Sequence, residues 1–504
     1  MYIAIPLWNL SRLSMTVKAI NMSQSDRPNV LLIVLDSVRA DHTSLHRYCN
    51  NTTPFLETFA QEATVYEQAR APSIWSLPSH VSIFTGLDPH EHLVNRPQDV
   101  LESQQTIWER LSKKWNYTTG VFTSNTYLTE VPTGLADAFD HVDRRRVPYP
   151  EALTLRKVVA AEEQGYFGYL KACWRHEDPG KSFLNGVTEL GRNYIPGTIE
   201  DRIYPGDHCG THVRNLQQWI GETDSPWAAC LNLMDAHAPY DPAKEANLWD
   251  DGSLPALQNS LEHPVWGFTS GREPWWKREA LRALYDGTIR QMDAALERLV
   301  GWLESTGELS DTLVVITSDH GEGFGERSLV RPDVRYTAHA YGIGESLLHV
   351  PLLIRRPGQE SGDSISRVAT PSAFPAVIQG YLEENHDVSF TVEGDRHLCS
   401  SVCRPSNIEP AREYQDDISM LQDDAYALYE DAGEHIYKYV EWGSDTCEIT
   451  LVKTPCPQPI AVERGVSTPV ASVLDESSRD LRAGQSNAEI SGATEDRLKE
   501  LGYL

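Results

Sequence analysis

Lysine is scarce in this sequence: only 11 of its 44 basic side chains are Lys, against 72 Asp and Glu, which leaves a formal net charge of −28. A chain this acidic is repelled by phosphate backbones and anionic lipid, so nucleic acid and membrane surfaces are excluded as partners. An acidic, Lys-poor, Arg-leaning surface resembles that of proteins from salt-loving organisms, where carboxylates keep the chain soluble in concentrated salt. Cysteine is scarce too, with eight in 504 residues and no Cys-x-x-Cys pair, which excludes a disulfide framework. Local pairing of Cys399 with Cys403 or Cys447 with Cys456 is conceivable, but free thiols in a reducing cytoplasm are the expectation. Long apolar runs are also missing. Residues 1–26 hold a short patch, Tyr2 to Trp8, with neither a basic leader nor a small-residue cleavage site, so they read as no signal peptide and no spanning helix. Met22, just ahead of Ser23-Gln24-Ser25-Asp26, is the expected start of translation, and 1–26 is read as a disordered or mis-assigned extension.

What the chain does have is material for a large core, 40% hydrophobic over 504 residues. Strand-like runs at about 29–35, 118–124, 227–233, 312–317 and 350–355 alternate with helical stretches near 53–64, 79–85, 104–114, 210–221 and 277–304. The alternation predicts an α/β fold, a mostly parallel sheet sandwiched by helices, over residues 27–385. Beyond Pro357 the pattern shifts to short segments such as Ala425–Tyr429 and His435–Val440. These predict a small antiparallel α+β subdomain over 386–473, then an acidic linker at 474–492 and a closing helix at 493–504. The segment 242–276, with Trp249, Trp266, Trp275 and Trp276, reads as a loop over the active site, and 144–209 matches no motif.

Three of the apolar runs end in chemistry. Val30–Leu35 ends in Asp36, Trp227–Met234 in Asp235-Ala236-His237, and Thr312–Thr317 in Ser318-Asp319-His320. Buried parallel strands deliver such groups to one edge of the sheet, where ligands bind in open α/β folds. An acid and an imidazole side by side suit Mn²⁺, Zn²⁺, Mg²⁺ or Ca²⁺. The run Ser76-Leu77-Pro78-Ser79-His80 places a hydroxyl just ahead of a helix whose first turn accommodates proline, with His80 in reach of a bound oxyanion. Gly321, Gly323 and Gly325 lack dinucleotide spacing and are expected to let the backbone turn close to the metal. Asp41, Asp235, Glu322 and His349 are expected to support or build the site without touching the metal.

These segments, in this order, resemble the sulfatase family of the alkaline phosphatase superfamily. Its active-site stretch, Cys/Ser-x-Pro-Ser-Arg followed by Thr-Gly, stands here as Ser76-Leu77-Pro78-Ser79-His80 through Thr85-Gly86. The likeness runs on through Asp36 to Asp41, Thr53-Pro54, Asp235 to Tyr240, Ser318 to Glu322, His349-Val350-Pro351 and the closing Leu501-Gly502-Tyr503-Leu504. The resemblance implies an alkaline-phosphatase-like fold and hydrolysis of a sulfate or phosphate-type ester. It makes Asp36, Ser76, Asp319 and His320 ligands of one divalent metal, Mn²⁺, Zn²⁺ or Ca²⁺ before Mg²⁺. Ser76 is the implied nucleophile, and His80, His237 and His339 complete the catalytic set. The departures are informative. His80 stands where the arginine read in formylglycine maturation belongs, Ser37 where a second calcium-binding Asp is usual, and His320 where many calcium sulfatases have Asn. They weigh against a formylglycine at Ser76 and keep three functions open: a sulfuric ester hydrolase, a phosphodiester or phosphonate monoester hydrolase or phosphotransferase with unmodified Ser76, and an inactive binding protein. The expected partner is a small-molecule or glycan sulfate or phosphate ester.

Overall fold

A computed structural model describes residues 27–143 apart from 103, 171–184 apart from 172 and 177, and 209–477 apart from 224–225, 386–387, 393–395, 402–408 and 415–416. The extension 1–26, most of 144–209 and the expected closing helix lie outside the described residues. Eight strands form the central sheet in the order β10-β2-β9-β6-β1-β5-β3-β4. They are β1 (Asn29–Leu35), β2 (Thr64–Ala69), β3 (Thr118–Phe122), β4 (His141–Asp143), β5 (Trp227–Leu233), β6 (Thr312–Thr317), β9 (Leu352–Arg355) and β10 (Asp363–Ala369). Only β9 runs against its neighbours, pairing antiparallel with both β6 and β2.

The two-residue period of a strand explains the layers. In β1, Val30, Leu32 and Val34 face one core while Leu31, Ile33 and Leu35 face the other. One face is covered by α1 (Pro54–Phe59), α4 (Cys209–Glu222) and α5 (Arg282–Thr306). The other face is covered by α2 (Ser76–Thr85), α3 (Ile107–Trp115) and α6 (Phe374–Leu382). All ten residues of α2 are buried. Ser76 is its first residue rather than the one ahead of it. Pro78 occupies the third position, where a backbone N–H would have no partner in the helix.

The C-terminal sheet is antiparallel: β11 (Arg396–Ser401), β12 (Ala425–Ala432), β13 (His435–Trp442), β14 (Asp445–Val452) and β15 (Gln458–Arg464). Its buried residues Ala427, Tyr429, Ile436, Val440, Trp442 and Ile449 belong to the same core as α2. A two-stranded ribbon, β7 (Gly323–Arg327) with β8 (Arg335–Ala338), lies apart from both sheets. Helix Val470–Ser477 takes up the start of the segment read as a linker, and the segment read as a loop carries three short helices, Leu254–Asn259, Trp266–Thr269 and Trp275–Ala280. Cys447 and Cys456 are free thiols. Among the described residues, no helix is long and apolar enough to cross a membrane.

Candidate active site

Adjacent strands β6, β1 and β5 lie in parallel register, Val34 opposite both Thr317 and Asn232, so the residues that follow them emerge together at one edge. Asp36, Asp319, His320 and Ser76 are all fully buried there. One ligand atom each from Asp36, Asp319 and His320 fits within a 4.8 Å cluster. Asp36 Oδ2 accepts from Ser76 Oγ at 3.2 Å, Asn125 Nδ2 at 3.2 Å and Asn232 Nδ2 at 3.4 Å. Its Oδ1 accepts from the Ser37 hydroxyl at 3.0 Å. Asp319 Oδ1 accepts the backbone N–H of Ser37 at 3.2 Å and of His320 at 3.0 Å. Asp319 Oδ2 is buried with no hydrogen bond, 3.4 Å from His320 Nε2.

His320 has its ring oriented by Nδ1–H donating to Gly321 O at 2.9 Å. Its Nε2 sits 3.4 Å from Ser76 Oγ and 3.9 Å from Asp36 Oδ1. Two carboxylates buried side by side are costly, and Asp319 Oδ2, which has no hydrogen-bond donor, adds to the cost. A divalent cation answers both. The residues present fit one: two carboxylates, an imidazole nitrogen and a serine oxygen are a ligand set of mixed hardness.

Beside the cluster, further imidazoles follow at tilted angles. The His339 ring lies 4.5 Å from that of His320, and the His237 ring 5.1 Å from that of His339. His237 Nδ1 donates to Ala238 O at 2.9 Å. His339 Nδ1 donates to Glu322 Oε2 at 2.9 Å, and Glu322 also accepts from Tyr240 OH at 2.8 Å and from Arg278. Burial pushes the Glu322 carboxyl up, but the His339 hydrogen bond and the Arg278 charge outweigh it and bring the pKa down to about 2. Burial, with His320 adding to it, pushes His339 down to about 3 against the pull of that carboxylate.

His80 lies deeper. Its Nδ1 donates to the Ser76 carbonyl at 2.8 Å and stands 3.7 Å from Asp319 Oδ2, and burial pushes its pKa down to about 4. Asp36, Ser76, His80, Asp319, His320, His339 and His237 thus form one chain of contacts at this edge of the sheet, whereas His349 bonds to Glu67 O. Sequence reasoning missed Asn125 and Asn232. Asn125 stands three residues past the end of β3, close enough to a strand end to be a readable signal, whereas Asn232 is one polar residue inside an apolar run and gives none. Of the supporting acids, Glu322 orients His339. Asp41 pairs with Arg39, and Asp235 accepts the N–H of Cys209 at the start of α4.

A family model described as Sulfatase matches residues 28–382. The chain is 23% identical over 376 residues to the multifunctional alkaline phosphatase superfamily protein PehA of Trinickia caryophylli, covering 66% of this chain and 69% of that one. It is 22% identical over 363 residues to an arylsulfatase of Clostridium perfringens, with the same two coverages. Among solved structures, the phosphonate monoester hydrolase of Agrobacterium radiobacter shares the fold, with a TM-score of 0.53 at 17% identity, covering 94% of this chain and 95% of the other. Buried acids at strand ends, the serine-headed helix and the family match agree: this chain belongs to the sulfatase family and is a hydrolase of sulfuric or phosphoric esters.

Proposed function

We propose that the chain hydrolyses a sulfate ester of a small molecule or glycan, with Ser76 as nucleophile. One divalent ion, Mn²⁺, Zn²⁺ or Ca²⁺ before Mg²⁺, would be held by Asp36, Asp319, His320 and the Ser76 oxygen. The observation that carries this reading is Ser76 Oγ at the head of a buried helix, within 3.4 Å of both the Asp36 carboxylate and His320 Nε2. When bound, the ion lowers the pKa of the hydroxyl and offsets the charge on the ester oxygens. Ser76 Oγ bonds to sulfur as the ester O–S bond breaks; the hydroxyl proton is taken up at Nε2 of His237 or His339, whose Nδ1–H is engaged elsewhere, and passes from there to the departing alkoxide. Water then attacks the sulfated serine, releasing sulfate and restoring the hydroxyl. The positive end of the α2 dipole, at Ser76, attracts the anionic ester. His80, bonded to the Ser76 carbonyl, holds the serine backbone in place.

A second reading, a phosphodiester or phosphonate monoester hydrolase or phosphotransferase with unmodified Ser76, is favoured by two features. The Ser37 amide and hydroxyl fill the gap between the carboxylates where a second acid would add charge, and His80 replaces a guanidinium. The test is turnover of aryl sulfate, phosphate monoester, phosphodiester and phosphonate with each of the four metals in high salt. Ser76→Ala should lower the rate on the preferred ester by at least about 10³-fold. Full turnover by that variant overturns both readings, and absence of both stoichiometric metal and turnover in the wild type leaves an inert binding protein. The mass of the Ser76 peptide separates a serine from a formylglycine, which is lighter by two hydrogens.

A further inference from the structure

His339 sits on a loop that the C-terminal sheet grips from both sides. The loop starts in the β7–β8 ribbon, and Ala338, at φ 49°, turns the chain into His339. At the ribbon's tip Ser328 Oγ accepts the N–H groups of Val330 and Arg331, which sends the Arg331 side chain away from the active site. Its guanidinium reaches the turn between β13 and β14. Nη2 donates to Trp442 O at 2.7 Å and to Asp423 Oδ2 at 2.8 Å, and Nε donates to Asp445 Oδ2 at 2.7 Å. The cation also lies 4.5 Å over the Trp442 ring. Arg464 Nε, from β15, donates to Leu329 O at 2.8 Å.

Past His339, Lys438 Nζ donates to Ile343 O at 2.7 Å and to Glu345 Oε1 at 2.9 Å. Lys438 and Trp442 are both inward residues of β13, so a single strand holds the loop before and after the histidine. The loop is fitted closely between these grips. A Cβ on Gly342, at φ +85°, would lie 2.5 Å from the Tyr336 ring and 3.2 Å from that of Trp442.

We propose that the C-terminal sheet sets the position of His339 at the leaving-group oxygen, with Arg331 and Lys438 as positioning residues. The inference rests on the reading of His339 given above. Magnitudes identify which contacts matter. The Asp423 and Asp445 carboxylates are about half exposed, so their ion pairs with Arg331 are worth little. The buried hydrogen bond to Trp442 O and the ring contact are the firm part of the grip. An imidazole misplaced by about 1 Å loses much of a contribution that proton transfer makes at roughly 10²–10⁴-fold.

The experiment compares phenyl and 4-nitrophenyl esters of whichever acid, sulfuric or methylphosphonic, the wild type turns over. The two leaving groups differ in their need for help from an imidazole. Arg331→Gln should lower kcat on the phenyl ester about tenfold and on the 4-nitrophenyl ester less than about threefold, with KM within about twofold. Arg464→Gln, at an exposed site, should move both in the same direction by less and serves if Arg331→Gln fails to fold. His339→Gln is the reference and should separate the two esters more widely. If His339→Gln separates them and neither arginine variant does, or if both esters fall by one factor, the positioning inference is overturned. If His339→Gln does not separate them, the reading of His339 falls and takes the inference with it.

Discussion

Asp36 and Asp319 bring two like charges into a pocket where neither is exposed, with His320 Nε2 the nearest imidazole nitrogen. Without a cation this arrangement costs stability. With one it adds stability, because an ion that binds the folded chain alone contributes about 2.7 kcal/mol at one hundred times its dissociation constant. Asp319→Asn removes one of the two charges and one ligand together. In chelator its melting temperature should equal or exceed that of the wild type, and in saturating Mn²⁺ or Zn²⁺ the wild type should be the more stable. A variant less stable than wild type in both conditions would mean that Asp319 is structural.

At the scale of the element, the turn after β6 sets where the two proposed ligands, Asp319 and His320, stand. Gly321 follows His320 directly, and a Cβ there would lie 2.2 Å from the backbone oxygen of Ser346. Two backbones pass at a distance no side chain allows, tied by Gly321 N–H to Leu347 O at 2.8 Å. Gly321→Ala must push these segments apart at a cost of roughly 1–3 kcal/mol, moving Asp319 and His320 with them. The expected outcome is a lower melting temperature and a metal affinity reduced at least tenfold, read by titration; a loss of stability with unchanged affinity would separate the turn from the site. This turn, like the strand-end acids, was legible in the sequence because Asp36, Asp319 and His320 all lie within three residues of the end of an apolar run, so the chemistry is written beside the element that carries it. The reversed direction of β9, the Asn232 hydrogen bond to Asp36 and the Arg331 grip on Trp442 were not. The last two depend on partners more than a hundred residues away, β9 reverses against β6 and β2 together, and nothing local marks any of the three. His339 falls between the two cases, since no strand announces it and its place comes from a ribbon, Glu322 and the C-terminal sheet together.

For the whole molecule, charge and burial make opposite demands on solvent. A net charge of −28 works against the compact state through self-repulsion, which molar salt screens to about 3 Å. The melting temperature should therefore rise by several degrees between dilute buffer and molar KCl at neutral pH, and an unchanged value would remove the case for a salt-adapted surface. Salt does not reach the buried imidazoles. Burial pushes His46 down to about 4 and His92 and His397 down to about 3, and it lowers His80, His90, His263, His339 and His349 as well. Between about pH 6.5 and pH 4 the unfolded chain takes up protons at these rings that the folded chain does not, so stability falls as the pH falls, by up to about 1.4 kcal/mol per unit for each ring. Burial raises Asp88 to about 8 and Asp293 to about 7, and these two carboxyls favour the folded state over the same descent. Eight rings against two carboxyls leave the sign with histidine. Above about pH 5 the surface carboxylates are still ionised, so their repulsion changes little in that window. Melting curves taken from pH 7 to pH 5 in molar KCl should show a progressive loss of stability that added salt does not restore, and His46→Gln with His92→Gln should flatten the slope. A slope that disappears in molar KCl would assign the pH dependence to the surface instead.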